Sequence, residues 1–558
     1  MATLFGGGVR EKESGRCYPW AIAALTNIQG QPSVGVGGRA SLGSYLALVG
    51  IMALALAVRL WAVSRMLVLT PDGTHYGTLA RHGLEGSWRD VLDPAWPPLS
   101  PWLTATVARM FESGASSLDV ERAGYLVSAV AGTLVLWPVW ELARRWRGVL
   151  VAHIAIVLLA FHPNATRYAA YVQSDSVYLL LLVLAVLAFT RGASSGKRTH
   201  LSVASAGALA ALAVLARPEG WVLVGVFALT LLRRGERRVQ LLALLAPVAL
   251  LLGPWLLFLH GELGEWSPGA KGGFNFHLAH EELFEAHGIE VEHGDVMALR
   301  EPGQPWRGGD YRVAELLRAA PLQVFLRMSR TVITGLVDKL PSAVSWPLLL
   351  LGLYGFRKSS GRRPEWWSVV VPLLLLTVAF YGPFFVIRRF FLPFVPFFMI
   401  GAGAGLEAIG RRYSRVGQRG VAGLVLVTVA LMLADTSRFL GRRENHLVYR
   451  DAGAWLRSHG NGSRIVLAGA SPEPAFYGEV SYQLVLDSDP GNLLGWLRAK
   501  GATHFFLLTP GEDIRLQAWL VPGGEPDWLT DRLEFEGGGD RLVFWRVAGD
   551  GALPSPPD

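Results

Sequence analysis

The chain has 558 residues, of which 51% are hydrophobic and 17% are charged. Soluble globular domains carry about 25% charged residues and usually take roughly 100–200 residues each. Together with a mean hydropathy of +0.33, this composition excludes a soluble cytosolic enzyme and indicates a polytopic membrane protein. The net charge of +8 would suggest nucleic-acid binding in a soluble protein. Here the basic residues are concentrated between apolar runs, and no nucleic-acid partner is expected.

The first 42 residues are rich in Gly and Ser and contain several basic residues. They lack the compact apolar region and the small-residue cleavage site of a secretory signal peptide. We therefore expect 1–42 to be a disordered cytoplasmic tail. Cys17 is the single cysteine, which excludes an intramolecular disulfide and a cysteine-based metal site.

Apolar stretches long enough to cross about 30 Å of hydrocarbon, at roughly 20 residues each, follow this tail. They predict about eleven spans, at 43–63, 122–142, 148–164, 175–190, 201–217, 219–232, 239–259, 341–356, 366–386, 391–410 and 420–436. The weakest pair is 201–217 and 219–232, which we interpret as a tight hairpin joined at Arg217-Pro218-Glu219-Gly220.

The connections after every second span are basic, which the positive-inside rule places in the cytoplasm. They contain Arg144, Arg145 and Arg147; Arg191, Lys197 and Arg198; Arg233, Arg234, Arg237 and Arg238; Arg357, Lys358, Arg362 and Arg363; and Arg411, Arg412, Arg415 and Arg419. With a cytoplasmic N-terminus, two long loops at about 64–121 and 260–340 and everything after about 437 are then extracytoplasmic. We expect the plasma (inner) membrane of a bacterium, because the chain is rich in Leu, Ala and Arg and carries no evident eukaryotic targeting signal.

The segment 441–558 changes character, because polar and turn residues separate short periodic patterns. These patterns predict helices at 449–459 and 492–500 and strands at 464–467, 504–508 and 542–547. The predicted fold is therefore mainly α: a helical transmembrane domain over 43–440 with a small extracytoplasmic α/β domain at its C-terminal end.

Ionisable residues at a membrane boundary are costly, so those that persist are candidates for function. They cluster in the first long loop, where Thr-Pro-Asp72-Gly-Thr-His75-Tyr76 precedes Ala80-Arg81 and Asp93-Pro-Ala-Trp96-Pro97-Pro98-Leu99 follows. A helix over 74–83 would place Asp72 near its N-terminus and Tyr76 one turn on. A helix-capping role for Asp72 is the alternative.

This order of residues resembles the first extracytoplasmic loop of the GT-C glycosyltransferases, in particular family 39, the protein mannosyltransferases, and the lipid A aminoarabinose transferases. Asp72, Tyr76, Ala80-Arg81 and Pro97-Pro98-Leu99 match that loop. The second acidic residue of the family's common Asp-Glu is Gly73 here, and the His of its His-Pro-Pro is Trp96. Three further segments are similar to later family segments: His162-Pro163 with Asp175-Ser176, Arg217-Pro218-Glu219-Gly220, and Arg388-Arg389-Phe-Phe-Leu-Pro393.

The resemblance implies a GT-C fold and transfer of a sugar from a polyprenyl-phosphate donor to an extracytoplasmic acceptor, which would be a protein, lipid A or another envelope glycan. An acceptor hydroxyl is a weak nucleophile, so Asp72 is the candidate general base. A divalent metal held by Asp72 is the alternative role, and no other cofactor is expected. Tyr76, Arg81 and Asp93 are candidate substrate-binding residues of the same loop.

The leaving phosphate needs cations, and Arg suits this role because its paired donors stay charged. Arg388 and Arg389 fall at the outer end of a predicted span and break the positive-inside pattern, so they are candidate phosphate ligands, with snorkelling to lipid headgroups as the alternative. Arg59 and Arg217 are weaker candidates, with structural pairing as the alternative.

Two rival functions and one rival site remain open at this point. A transporter or flippase of lipid-linked sugars would also need many spans and buried arginines, but no internal repeat is evident. A membrane-anchored scaffold would leave the clustering of Asp72, Pro97-Pro98 and Arg388 unexplained. The second loop carries His277, His280, His287 and His293, but without the spacing of a zinc-binding helix, so we expect a solvated amphipathic segment there.

Overall fold

The computed structural model describes residues 40–111, 115–194, 199–233, 238–300, 304, 306–359, 364, 366–412, 417–440, 447–459, 465–485, 490–509, 516–537 and 539–548. The predicted tail over 1–42 therefore lies almost entirely outside the described residues.

Helices dominate the chain up to residue 440. They are α1 (Leu42–Val63), α2 (Pro71–Glu85), α3 (Leu99–Met110), α4 (Ser117–Leu134), α5 (Leu136–Arg147), α6 (Val149–Ala160), α7 (Pro163–Ala169), α8 (Asp175–Ser194), α9 (Thr199–Ala216), α10 (Gly220–Arg233), α11 (Arg238–Leu263), α12 (Lys271–Ala286), α13 (Val313–Ala319), α14 (Pro321–Thr334), α15 (Leu340–Val344), α16 (Trp346–Lys358), α17 (Trp367–Tyr381), α18 (Val395–Arg412) and α19 (Gly417–Leu440). A π-helical turn at Gly335–Lys339 joins α14 to α15, and a 3-10 helix at Arg388–Phe394 precedes α18.

Six helical segments of the described chain are long and apolar enough to cross a membrane, and the number rises to eight if two bent helix pairs each count as one span. Each of the eleven stretches predicted from the sequence is mostly helical, although 122–142, 148–164 and 341–356 are each divided between two helices. Two of them, α10 and α17, have only 14 and 15 residues, fewer than the roughly 20 that a straight crossing needs. The fold is thus a polytopic helical one, and the count of eleven stays a prediction.

Two bends shape the membrane part. Helices α6 and α7 meet at 59°, where His162 precedes Pro163 and proline disfavours a helical conformation of the residue before it. The segment Pro321–Val344 meets α16 at 97°. Ser345 lies at this corner with φ 73°, a left-handed conformation that few non-glycine residues adopt.

The last segment forms a small α/β domain, as predicted. It contains α20 (Val448–His459), β1 (Val466–Gly469), α21 (Glu473–Gly478), β2 (Ser481–Leu484), α22 (Pro490–Ala499), β3 (His504–Thr509), a 3-10 helix (Gln517–Leu520), β4 (Leu529–Gly537) and β5 (Asp540–Val547). The sheet order is β2-β1-β3-β5-β4. Strands β2, β1 and β3 are parallel, whereas β5 is antiparallel to both β3 and β4. The sequence patterns located α20, α22 and three of the strands, and missed α21, β2 and β4.

This domain packs directly on the helical part. Tyr477 accepts a hydrogen bond from the backbone of Leu69, at 3.0 Å, and its side chain lies in one apolar cluster with Met66 and Tyr125. Arg450 of α20 donates to both carboxylate oxygens of Glu121 in α4, at 2.8 Å each. The α/β domain and the first long loop therefore lie on the same side of the molecule.

The two long loops are also tied to each other and to the domain. The indole of Trp96 donates to the carbonyl of Val296, and Asp93 forms an ion pair with Arg300. Leu299 exchanges two backbone hydrogen bonds with Tyr482 of β2, at 3.1 and 3.2 Å. These contacts join the first loop, the second loop and β2 of the α/β domain, so the second loop lies on the same side as the other two.

Candidate active site

The start of α2 positions Asp72. Thr70 caps the helix, its hydroxyl accepting from the backbone of Gly73 at 3.2 Å, and Pro71 occupies the first turn. This sequence suits a helix start, because Thr accepts from free amides and proline needs no donor there. Gln173 donates to the same Thr70 hydroxyl at 2.9 Å, which ties the turn to the α7–α8 connection. Asp72 follows with its side chain 24% exposed.

Arg389 forms an ion pair with Asp72. Its Nη1 lies 2.6 Å from Oδ2 of Asp72, although 317 residues separate the two along the chain. Burial alone would raise the pKa of Asp72, but Arg389 and Lys271 hold it at about 2. Asp72 is therefore ionised at neutral pH. The Nε of Arg389 is buried and has no hydrogen-bond partner in the described part of the chain, which leaves a donor free for an anion.

Lys271, the first residue of α12, is a second cation near Asp72. Its ammonium nitrogen lies 2.8 Å from the centre of the Trp96 ring. His75 stacks on the same indole, at 4.4 Å between ring centroids. Burial lowers the pKa of Lys271 to about 7, with Asp72 opposing that shift. A hydrogen bond from Ala270 to the carbonyl of Pro94, at 2.9 Å, holds the start of α12 against the first loop.

A second group of charges lies deeper, beside Arg389. Arg217 pairs with Asp175 at 2.6 Å and with Glu219 at 2.8 Å, and Tyr381 donates to Glu219. These residues and Arg389 line a narrow cleft of about 10 Å³, room for about one water. The cleft links the deeper charges to the Asp72–Arg389 pair.

Tyr76 lies one turn after Asp72, as the sequence predicted. Its hydroxyl is 2.9 Å from that of Ser174, and its ring meets the Trp96 ring edge-on at 5.3 Å between centroids. Tyr76 therefore contacts both the first long loop, through Trp96, and the α7–α8 connection, through Ser174.

Residues 95–258 match a protein-family model described as dolichyl-phosphate-mannose-protein mannosyltransferase. Among solved structures, the transferase ArnT from Cupriavidus metallidurans, bound to undecaprenyl phosphate, is similar to the whole chain. The TM-score is 0.54 at 15% identity, with 92% of this chain and 100% of that chain covered. These findings confirm the resemblance of this chain to the GT-C glycosyltransferases that the sequence indicated.

The archaeal oligosaccharyltransferase from Archaeoglobus fulgidus has a similar fold. In its apo form the TM-score is 0.55 at 12% identity, and the match covers 92% of this chain and 75% of that chain. Another structure of that enzyme, AglB, holds an inhibitory peptide and a dolichol-phosphate, with a TM-score of 0.53 at 12% identity. No curated protein matches the sequence. At these identities the structural likeness concerns the fold.

Four residues predicted for the GT-C site lie outside the Asp72 cluster. Arg81 faces the α/β domain, 3.9 Å from Glu479. Asp93 is held in its ion pair with Arg300. Arg388 is exposed, in contrast to Arg389. Arg59 is fully buried inside α1 and donates to the carbonyls of Ala55 and Ala160. These contacts fit the alternative given above, in which Arg59 has a structural partner and does not bind phosphate.

The side chains around Asp72 do not suit a metal ion. In the part of the chain that the structure describes, no three His, Cys, Asp or Glu side chains are grouped to hold one. The groups next to Asp72 are cations, which would repel a divalent ion.

The solvated segment expected in the second loop is partly wrong. Helix α12 is amphipathic, but His277 and His280 lie on its buried face, because Phe276 and Phe284 on that face form part of an apolar core.

Sequence reasoning missed Lys271 and the stacked pair of His75 and Trp96. Lys271 stands between glycines in Gly269-Ala-Lys271-Gly272, an unusual setting for a lysine at the start of a helix, where a cation is unfavourable. This setting is the feature of the sequence that could have identified Lys271 as a site residue. Its partner Trp96 is 175 positions earlier, beyond the reach of any local pattern.

Proposed function

We propose that this GT-C glycosyltransferase moves a sugar from a polyprenyl-phosphate donor to a hydroxyl of an extracytoplasmic acceptor, such as a protein, lipid A or another envelope glycan. The observation that carries this proposal is the Asp72–Arg389 pair, with Nη1 and Oδ2 2.6 Å apart and Lys271 near enough to act on the same carboxylate. One carboxylate beside two cations offers a base for an incoming hydroxyl and ligands for a leaving phosphate.

The chemistry assigned to Asp72 is general-base catalysis. The acceptor oxygen forms a bond to the anomeric carbon while the bond from that carbon to the phosphate oxygen breaks. The acceptor proton passes to Asp72, and polyprenyl phosphate leaves with the bonding electron pair. A single displacement of this kind inverts the anomeric centre and needs no covalent intermediate. Because the surroundings of Asp72 do not suit a metal, the proposal assigns it no metal-binding role.

Arg389 and Lys271 are the proposed ligands of the donor phosphate. Guanidinium and ammonium groups bind phosphate through charge-assisted hydrogen bonds, and Arg389 has a free buried Nε donor within the described structure. The similar structures hold undecaprenyl phosphate or dolichol-phosphate, which supports a lipid-linked donor here.

The ion pair implies an order of binding. While Arg389 holds it, Asp72 has a pKa of about 2 and is a weak base. A donor phosphate competes with Asp72 for Arg389, so donor binding loosens the carboxylate and makes it more basic. The donor is therefore proposed to bind before the acceptor.

The test is sugar transfer by purified protein in detergent, with radiolabelled polyprenyl-phosphate sugars and envelope acceptors. Product formation without a sealed compartment supports the transferase and excludes pure transport. The rival function, a flippase of lipid-linked sugars, predicts no product in detergent but movement of the labelled lipid across the bilayer of sealed vesicles. That pair of results would overturn the proposal.

A further inference from the structure

Helix α14 presents large apolar side chains away from the protein. Leu322, Phe325 and Ile333 are 66%, 62% and 61% exposed, and Leu326 is exposed beside them. Their spacing of three, four and eleven residues places them in one stripe along the helix. An exposed stripe of this kind normally marks a binding surface.

The opposite side of α14 is already covered by the protein. Val324 is buried in an apolar cluster with Phe276 and Phe284 of α12, and Met328 and Phe384 pack against the same cluster. Helix α14 therefore lies between α12 and whatever contacts the stripe.

The direction of α14 identifies the occupant. Pro321–Val344 and α16 together are long and apolar enough for a span but meet at 97°. If α16 runs into the bilayer, α14 must run along its surface. Helix α16 exposes large apolar side chains of its own, Trp346, Leu350 and Leu353, and tryptophan is enriched at the membrane interface.

A polar flank completes an interfacial helix. Gln323, Arg327, Arg330 and Thr334 are spaced for a second face beside the stripe, and Arg327 pairs with Glu282 of α12 at 3.1 Å. Interfacial helices place cations at headgroup level and bury apolar side chains about 5–10 Å below it.

We propose that α14 lies in the headgroup layer of the membrane surface next to the two long loops and that its stripe binds lipid acyl chains. The lipid surface then supports α12, whose first residue is Lys271. This inference concerns a surface outside the candidate active site and does not depend on the sugar, the acceptor or the reaction.

The experiment is nitroxide scanning of the full chain in lipid nanodiscs. Cys17→Ser provides the background, and single cysteines replace Leu322, Leu326 or Ile333 in the stripe and Gln323 or Arg330 in the flank. The exposed sites tolerate a label without repacking a core. Oxygen concentrates in the acyl layer, whereas a water-soluble nickel chelate stays outside it.

We expect the ratio of oxygen to nickel-chelate accessibility to be several-fold higher at the three stripe positions than at the two flank positions. High nickel accessibility at the stripe would place it in water and overturn the proposal. Low accessibility to both reagents, with spin–spin broadening between labelled copies, would show a second copy of the chain on the stripe and overturn it equally.

Discussion

Asp72 is the residue on which the proposed reaction depends most. Replacing Asp72 by Asn preserves size but removes the proton acceptor, so turnover should fall by roughly 10²–10⁴-fold, the usual contribution of general-base catalysis. The measurement is the initial rate of sugar transfer at equal membrane levels. Asp90→Asn is the matched control, because Asp90 belongs to the same loop and bonds only to Ser87 among the hydrogen bonds described for it. Normal transfer by Asp72→Asn would remove Asp72 as the base.

Arg389 and its neighbour Arg388 form a natural pair for a second test. Arg389→Gln should remove a charged hydrogen bond to the donor phosphate, which contributes about 1.5–3 kcal/mol. The expected decrease in kcat/KM for the donor is roughly 10- to 150-fold. Arg388→Gln should change it little, because Arg388 is exposed and Arg389 faces Asp72. Equal losses in the two variants would contradict the assignment.

Lys271 should make donor binding depend on pH. Its pKa is lowered to about 7 by burial, so Lys271 is charged below that pH and neutral above it. Since kcat/KM reports ionisation in the free enzyme, kcat/KM for the donor should decrease as the pH rises through about 7. Lys271→Arg should abolish this decrease, because Arg stays charged. A profile that Lys271→Arg leaves unshifted would exclude Lys271 as a phosphate ligand.

The residues of the site differ in how far the sequence could predict them. Asp72 and Arg389 lie in segments whose local pattern resembles a family, and the structure brings the two together. Lys271 and Trp96 meet only because the two long loops interlock through Asp93–Arg300 and Trp96–Val296. Such contacts join segments that are far apart in the chain, and no local pattern in a single sequence reveals them.

At the scale of elements, helices were easier to predict than strands. The period of apolar residues located α20 and α22, whereas β4 was missed because its exposed positions carry charged residues such as Glu534 and Glu536. The strand is an edge of the sheet, and charged edges are common because they prevent pairing with other chains.

The contact between α4 and α20 should carry much of the docking of the α/β domain. Glu121 is nearly fully buried and bonds to Arg450, so Arg450→Met leaves its carboxylate without that partner. The loss should destabilise the docked state by about 1.5–3 kcal/mol. Limited proteolysis of the connection before α20 and thermal unfolding would both report it. Arg122→Met is the control, because Arg122 lies on the same helix but is 79% exposed; an equal effect of both changes would contradict this account of docking.

At the scale of the molecule, three of the basic connections lie close together. Arg145 and Arg191 both pair with Glu141, and Arg147 and Arg411 both pair with Glu407. These arginines come from three of the five connections that the charge pattern assigned to the cytoplasm. The count of spans is harder to predict, because α10 and α17 are short and a sequence window reads a bent pair such as α6 and α7 as one stretch.

The side of the membrane that the α/β domain and the two long loops occupy is the last prediction. Because five basic connections specify the cytoplasmic side, a reporter that is active only outside the cytoplasm should work when appended after Asp558, which keeps the chain whole. The same reporter inserted after Arg363 should be inactive there, and a reporter active only in the cytoplasm should give the reverse pair of results. Activity of the outside reporter after Arg363 together with inactivity after Asp558 would place Asp72 on the cytoplasmic side. A lipid-linked donor and an extracytoplasmic acceptor could then not meet at Asp72, so this result would overturn the proposed substrates while leaving the GT-C fold intact.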